Sequence, residues 1–392
     1  MHTSRRSSPV ASPSARASTT RSRPKARQTV PGPPPHSSHG SLRSFNASVS
    51  SSTTAGATSR PTSASRSSGP RSSGVTAMAL PSVSRRLRHP FPFAILAIAL
   101  SLSTGVASAK LRVVASTPDV ADMARQIGGD RVSVVTIANP RQDPHKVPVR
   151  PSFATRLHRA DALVVQGLGL EHAFIPALIE GARNGNILPG APGYIDASLY
   201  VKPLQVPSSQ NRSQGELHPL GNPHFNLDPV QGKRMARAIA EGLERVDPSG
   251  ADDYREGLER FTTLLDEKIE EWARLAEPLR GVKVVSYHND LIYLANRYGL
   301  LQVGTIEIKP GIQPTPGHLE NLLRLMKREN VKIIIREISY DPGVARSLAE
   351  RTGARVVPLA VMAGGLGPEG YVDSIQANLE ALVGAVAESG SP

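Results

Sequence analysis

The chain has 392 residues, no cysteine and a formal net charge of +13. That length allows one or two domains, and the missing thiols exclude disulfides, thiolate metal sites and a lipid-bearing N-terminal cysteine. The charge suggests nucleic acid, but residues 1–109 carry 14 of the 46 Lys and Arg and none of the 33 Asp and Glu, so the remainder is close to neutral and a nucleic-acid-binding body is excluded.

Residues 1–77 are dominated by Ser, Arg, Pro, Thr and Gly. Such a segment cannot bury enough apolar surface to offset its ordering entropy, so it is expected to be disordered. Met78 is an alternative start that would leave it untranslated. Residues 78–109 then read as a signal peptide: Arg85-Arg86-Leu87-Arg88 is the positive region, Phe91 to Leu102 the apolar one, and Ala107-Ser108-Ala109 the small-residue cleavage site. The apolar run is short for a bilayer span. Cleavage after Ala109 would release a soluble, periplasmic chain starting at Lys110; an uncleaved membrane anchor is the alternative.

From Leu111 the pattern alternates. Leu111 to Ala115 is a strand, 119–127 a helix stopped by Gly128-Gly129, and Val132 to Ile137 a strand followed by the turn that carries His145. Helix 151–159, strand Ala162 to Val165 and a helix opened by Gly167-Leu168-Gly169-Leu170-Glu171 come next. Residues 181–220 read as irregular, with one short strand near Gly193-Tyr194-Ile195, before helix 230–245. Over 251–277, apolar residues from Tyr254 to Leu275 recur at spacings of three and four, which predicts the longest helix of the chain, roughly 40 Å. It is either a strut joining two lobes or one more packed surface helix. The alternation then resumes: strand 282–286, helix 289–298, strand 301–306, helix 316–329, strand 331–335, helix 343–351, strand 356–359 and helix 371–387. Alternation of this kind means α/β with parallel sheets. The expected organisation is an N-terminal α/β lobe over 110–250, a linking helix over 251–278 and a C-terminal α/β lobe over 279–392.

Three histidines sit on turns that follow apolar strands. They are His145 in Asp143-Pro144-His145, His224 in Gly221-Asn222-Pro223-His224, and His288 in Ser286-Tyr287-His288. Loops at the carboxyl ends of parallel strands converge on ligands, and neutral imidazole is the commonest metal ligand. Their convergence on one divalent ion is expected. Three imidazoles and a carboxylate suit zinc and can also hold manganese or iron.

The chain resembles the metal-binding solute proteins of zinc and manganese ABC importers, the TroA-like or ZnuA-like family. The resemblance spans Leu111 to Ala387. It is carried by Asp143-Pro144-His145, Arg159-Ala160-Asp161 with Gly167-Leu168-Gly169-Leu170-Glu171, and Gly221-Asn222-Pro223-His224 through Asp228-Pro229. Tyr254 with the long helix, Ser286-Tyr287-His288, Glu307 to Pro316, Glu337 and Thr352-Gly353-Ala354 complete the set. The resemblance implies two α/β lobes, each with a central parallel sheet flanked by helices, joined by one long rigid helix. It implies one metal ion in the interlobe cleft, held by His145 and His224 from the first lobe and His288 and a carboxylate from the second. It also implies delivery of that ion to a membrane ABC permease, and no catalysis.

Many members place an aspartate after the last strand, but Leu359-Ala360-Val361-Met362-Ala363-Gly364-Gly365 contains no carboxylate. Glu337 is then the expected fourth ligand, with Asp341 and water as alternatives. Asp228 is the expected partner of a ligating imidazole. Glu171 is expected to brace a loop. His158, His172 and His318 read as packed or surface residues, and His218 as one that lines the cleft or recruits metal. The His-rich loop of many zinc members is absent. The expected protein is therefore a monomeric receptor for Zn²⁺, with Mn²⁺ next. Its rivals are a zinc-dependent hydrolase, for which no His-Glu-x-x-His helix exists, and a metal-binding adhesin.

Overall fold

A computed structural model describes residues 109–207, 218–309, 311–367 and 370–390 of the chain. The expectations for residues 1–77, and all but Ala109 of the expected signal peptide, lie outside the described residues.

Two four-stranded parallel sheets organise the molecule. The first contains β1 (Leu111–Ala115), β2 (Val132–Thr136), β3 (Ala162–Val165) and β4 (Tyr194–Asp196), in the order β2-β1-β3-β4. The second contains β5 (Lys283–Ser286), β6 (Leu301–Thr305), β7 (Ile333–Glu337) and β8 (Arg355–Leu359), in the order β6-β5-β7-β8. The two lobes thus share one topology. In each, the first strand sits centrally and the chain crosses over it. Ala162-Leu163-Val164-Val165 and Ile333-Ile334-Ile335 are buried throughout, as strands covered by helices on both faces must be.

The first sheet is flanked by α1 (Pro118–Gly128), α2 (Pro151–His158), α3 (Ile175–Ala182) and α4 (Pro229–Val246). After α5 (Ala251–Leu275) come α6 (Ile292–Tyr298), α7 (Pro316–Arg328), α8 (Gly343–Thr352) and α9 (Tyr371–Glu388). The long helix α5 buries Tyr254, Gly257, Phe261, Leu265 and Trp272. It packs on α1, α4 and α9. Gly257 is required by the approach: a Cβ there would stand 2.1 Å from the Ile127 carbonyl oxygen at the end of α1. One apolar cluster runs from Val113 in β1 to Val386 in α9 and draws on both lobes. A smaller one, with Val285, Ile306, Leu322, Ile334 and Leu348, fills the outer face of the second sheet.

Two expectations need correction. The Gly167 to Glu171 segment does not open a helix. Gly167, Leu168 and Gly169 all have positive φ (100°, 51° and 80°), which a right-handed helix cannot accommodate, so the chain turns there and α3 begins only at Ile175. The strand expected over 331–335 lies at Ile333–Glu337, which makes Glu337 its final residue.

Candidate metal centre

Each of the three histidines is held by a local turn at the carboxyl end of a sheet. The Asp143 carboxylate accepts a hydrogen bond from the His145 amide at 2.9 Å. The Asn222 side-chain oxygen accepts one from the His224 amide at 3.0 Å. Both are Asx turns, in which a short polar side chain replaces a ladder partner. His288 follows β5, where the Ser286 hydroxyl donates to the His288 carbonyl at 2.5 Å.

These turns bring His145, His224 and His288 together, with one ring nitrogen of each within 4.8 Å of the others. The residues are only 4%, 2% and 3% exposed. Ring centroids are 5.0 Å apart for His145–His224, 5.5 Å for His145–His288 and 5.4 Å for His224–His288. Two imidazoles on one tetrahedral ion, at metal–nitrogen distances of about 2.0–2.1 Å, put their centroids about 5.2 Å apart and their nitrogens about 3.3 Å apart. The Nε2 atoms of His145 and His224 are 3.1 Å apart. Burial, and then the other histidines nearby, hold His145 and His224 well below the ordinary imidazole range, so both rings are neutral at pH 7.

His288 differs. Its Nδ1 donates to Glu307 Oε2 at 2.7 Å, which leaves Nε2 to face the other two rings. Burial pulls its pKa down, but the Glu307 hydrogen bond and the charges of Asp290 and Glu307 outweigh that, and the net shift is upward. Three buried carboxylates surround this histidine. Glu337 Oε1 accepts from the His288 amide at 3.4 Å. Burial and the neighbouring Asp290 push the Glu337 carboxyl well above the usual range, and burial raises Asp290 to about 6. One oxygen of each, Asp290 Oδ1, Glu307 Oε1 and Glu337 Oε2, is buried without a hydrogen-bond partner. A pocket with two neutral imidazoles, and with an unpartnered acidic oxygen on each of three residues beside the third, is one that a divalent cation would stabilise.

Glu337 therefore stands behind His288 rather than within the close triad of ring nitrogens. Asp341 is exposed and accepts from the amide of Gly343, the first residue of α8, at 2.7 Å. Asp228 does not orient an imidazole: it caps α4 through the Val230 amide at 3.0 Å and receives both arms of Arg297 at 2.7 and 3.0 Å. The imidazole partner is Glu307, which sequence reasoning left inside a motif without a role. Glu171 does brace a loop, accepting from the Ser116 hydroxyl and the Gln166 amide, each at 2.6 Å.

A second buried network fixes the two sides of the centre. Asn226, two residues beyond His224, donates to Asp119 Oδ1 at 3.0 Å and to the Val361 carbonyl at 2.8 Å. Asp119 Oδ2 accepts from the Ala363 amide at 3.1 Å. The segment in which no carboxylate was found thus serves through its backbone, tying the second lobe to the His224 loop. Asn222 extends the tie by donating to the Asn289 carbonyl, next to His288, at 2.7 Å. Tyr293 on α6 donates to the Asn222 carbonyl at 2.8 Å.

The chain is similar to the manganese ABC transporter substrate-binding lipoprotein PsaA of Streptococcus pneumoniae, at 25% identity over 297 residues, 74% of this chain and 93% of that protein. It is 26% identical over 285 residues to the manganese-binding lipoprotein MntA of Halalkalibacterium halodurans, covering 71% and 89% of the two chains. Among solved structures, ZnuA superposes with a TM-score of 0.61 at 26% identity, over 71% of this chain and 99% of that one. FpvC from Pseudomonas aeruginosa, in complex with Mn²⁺, shares the fold with a TM-score of 0.61 at 23% identity, over 72% and 100% of the chains. The model of the ZnuA family, described as zinc-uptake complex component A, periplasmic, matches residues 113–385, and the chain belongs to that family.

Proposed function

We propose that the chain is the extracytoplasmic receptor of an ABC importer, which captures one divalent transition-metal ion between its lobes and passes it to a membrane permease. His145, His224 and His288 hold the ion through Nε2. The fourth position goes to water or, after rotation, to the orphaned Glu337 Oε2. The ion is cargo, and no reaction is assigned to the site. The observation that carries this reading is the spacing of three buried imidazoles at the distances one tetrahedral ion imposes. An imidazole-rich set with no committed oxygen ligand favours Zn²⁺ over Mn²⁺, which prefers carboxylate and water. Periplasmic location, cleavage after Ala109, a monomeric state and the lobe boundaries at 250 and 278 belong to the same proposal.

Competition titration against a zinc chelator, with metal analysis of the purified protein, tests it. One tightly held zinc per chain is expected; no measurable binding at neutral pH would end the proposal. The hydrolase alternative needs a free general base, whereas Glu307 and Glu337 each engage His288. Esterase or peptidase turnover by the zinc-loaded protein above that of free zinc would revive it.

A further inference from the structure

The three proposed ligands are almost fully enclosed, so an ion needs a route to them. Two further histidines extend the cluster outward. His218 is half-buried and its ring lies 4.9 Å, centroid to centroid, from that of His145. His172 is exposed, and its ring lies 6.0 Å from that of His218. The 4.9 Å spacing falls near the separation of about 5.2 Å expected for two imidazoles sharing one tetrahedral ion, and the 6.0 Å spacing is wider, a short step for an ion passing between the two rings. The Gly169 carbonyl anchors both rings: His172 Nδ1 lies 3.0 Å from it and His218 bonds to it as well. That anchoring leaves His218 Nε2 buried and without a partner.

An uncharged nitrogen donor that is buried and unbonded costs desolvation free energy, which a passing cation would offset. The order His172, His218, His145 also runs from exposed to enclosed, so each pair offers a two-nitrogen resting place one step deeper than the last. Gly167, Leu168 and Gly169, with their positive φ values, hold the turn that presents the anchoring carbonyl. The early turn that displaced the expected helix start thus builds the outer part of the path.

We infer that His172 and His218 form an entry relay that hands a divalent transition-metal ion from solvent to His145, resting on the receptor role proposed above. His218 acts as a transient ligand during loading and unloading. It is not a resident ligand of the loaded site. Because a relay lowers the barrier in both directions, it changes rates and leaves the equilibrium unaltered.

Stopped-flow mixing of the full chain with Zn²⁺ and a fluorescent zinc indicator tests this, comparing the parent with His172→Ala, His218→Ala, His218→Gln and, as a control away from the path, His158→Ala. The expected result is association and dissociation both slowed about tenfold in His218→Ala, less in His172→Ala, with the dissociation constant within about twofold of the parent. Circular dichroism and the melting temperature of each metal-free variant check folding, and His172→Ala, at an exposed site, carries the test if His218→Ala does not fold. Unchanged rates in folded variants would overturn the relay. Weakened equilibrium binding with an unchanged association rate would also overturn it, and would make His218 a resident ligand. A parent chain that binds no zinc would instead overturn the receptor role itself.

Discussion

At the scale of single residues, the centre separates groups that face the proposed ion from groups that hold those groups still. Glu307 belongs to the second kind, since it fixes the His288 tautomer through Nδ1. Glu307→Gln keeps the shape but loses the charge, and zinc affinity should fall about 10- to 100-fold. Glu337→Gln should cost less than His224→Ala in the same competition titration. Equal losses would promote Glu337 from support to ligand. Asp119 supplies a pH prediction away from the ligands. Burial raises its carboxyl from 3.8 to about 6 in the folded protein. Between those values the native state holds a proton that the unfolded chain has released, so stability falls as pH rises through the window. The ionised form should cost roughly 3 kcal/mol by pH 7. Chemical denaturation at pH 4 and pH 7 should show a loss smaller by about that amount in Asp119→Asn than in the parent, since Asp290 and Glu337 titrate in both; parallel losses of equal size would contradict it. His145, His224 and His288 were legible because turn residues flank each of them, and His145 and His288 also follow apolar strands. The partners were not. Glu307 and Asn226 meet their targets only through the crossovers of a parallel sheet, and nothing local pairs Asn226 with Val361, 135 residues away.

At the scale of elements, the alternation of apolar strands and amphipathic helices gave most boundaries to within a residue or two, because buried parallel strands and one-sided helices carry different periods. The failures have separate causes. The helix expected from Gly167 starts late because consecutive left-handed residues carry the backbone through a turn, and Leu168 at φ 51° is not a residue that announces this. Asp228 was assigned to an imidazole, yet it caps α4 and pairs with Arg297, and the bidentate partner lies on a helix of the other lobe. The long helix α5 was read either as a strut or as a packed surface helix. Its inner face is packed against α1, α4 and α9, so it is held along its length rather than spanning free. Gly257 is the sharpest test of that packing. A valine would drive its side chain into the Ile127 carbonyl, and Gly257→Val should destabilise the fold by about 1–3 kcal/mol, read as a lower midpoint in chemical denaturation. An unchanged midpoint would show that α5 can lift from α1 without cost.

At the scale of the whole molecule, two copies of one sheet topology face their carboxyl ends toward a shared centre, and the ties between them are buried. The continuous apolar cluster, the Asn226 bond to Val361, the Asp119 bond to Ala363 and the Arg297–Asp228 pair all cross from one lobe to the other. Lobes joined in this way should move little, so an ion enters and leaves through side chains and loops rather than by wide opening. Metal binding should still be visible in global stability. Zinc at a thousandfold excess over its dissociation constant should add about 4 kcal/mol. The most direct measurement of the central claim is a crystal structure of the zinc-loaded protein with data collected at the zinc edge. One anomalous peak is predicted within about 2.1 Å of the Nε2 atoms of His145, His224 and His288 together. A peak elsewhere, or one that any of these three imidazoles fails to reach, would contradict it.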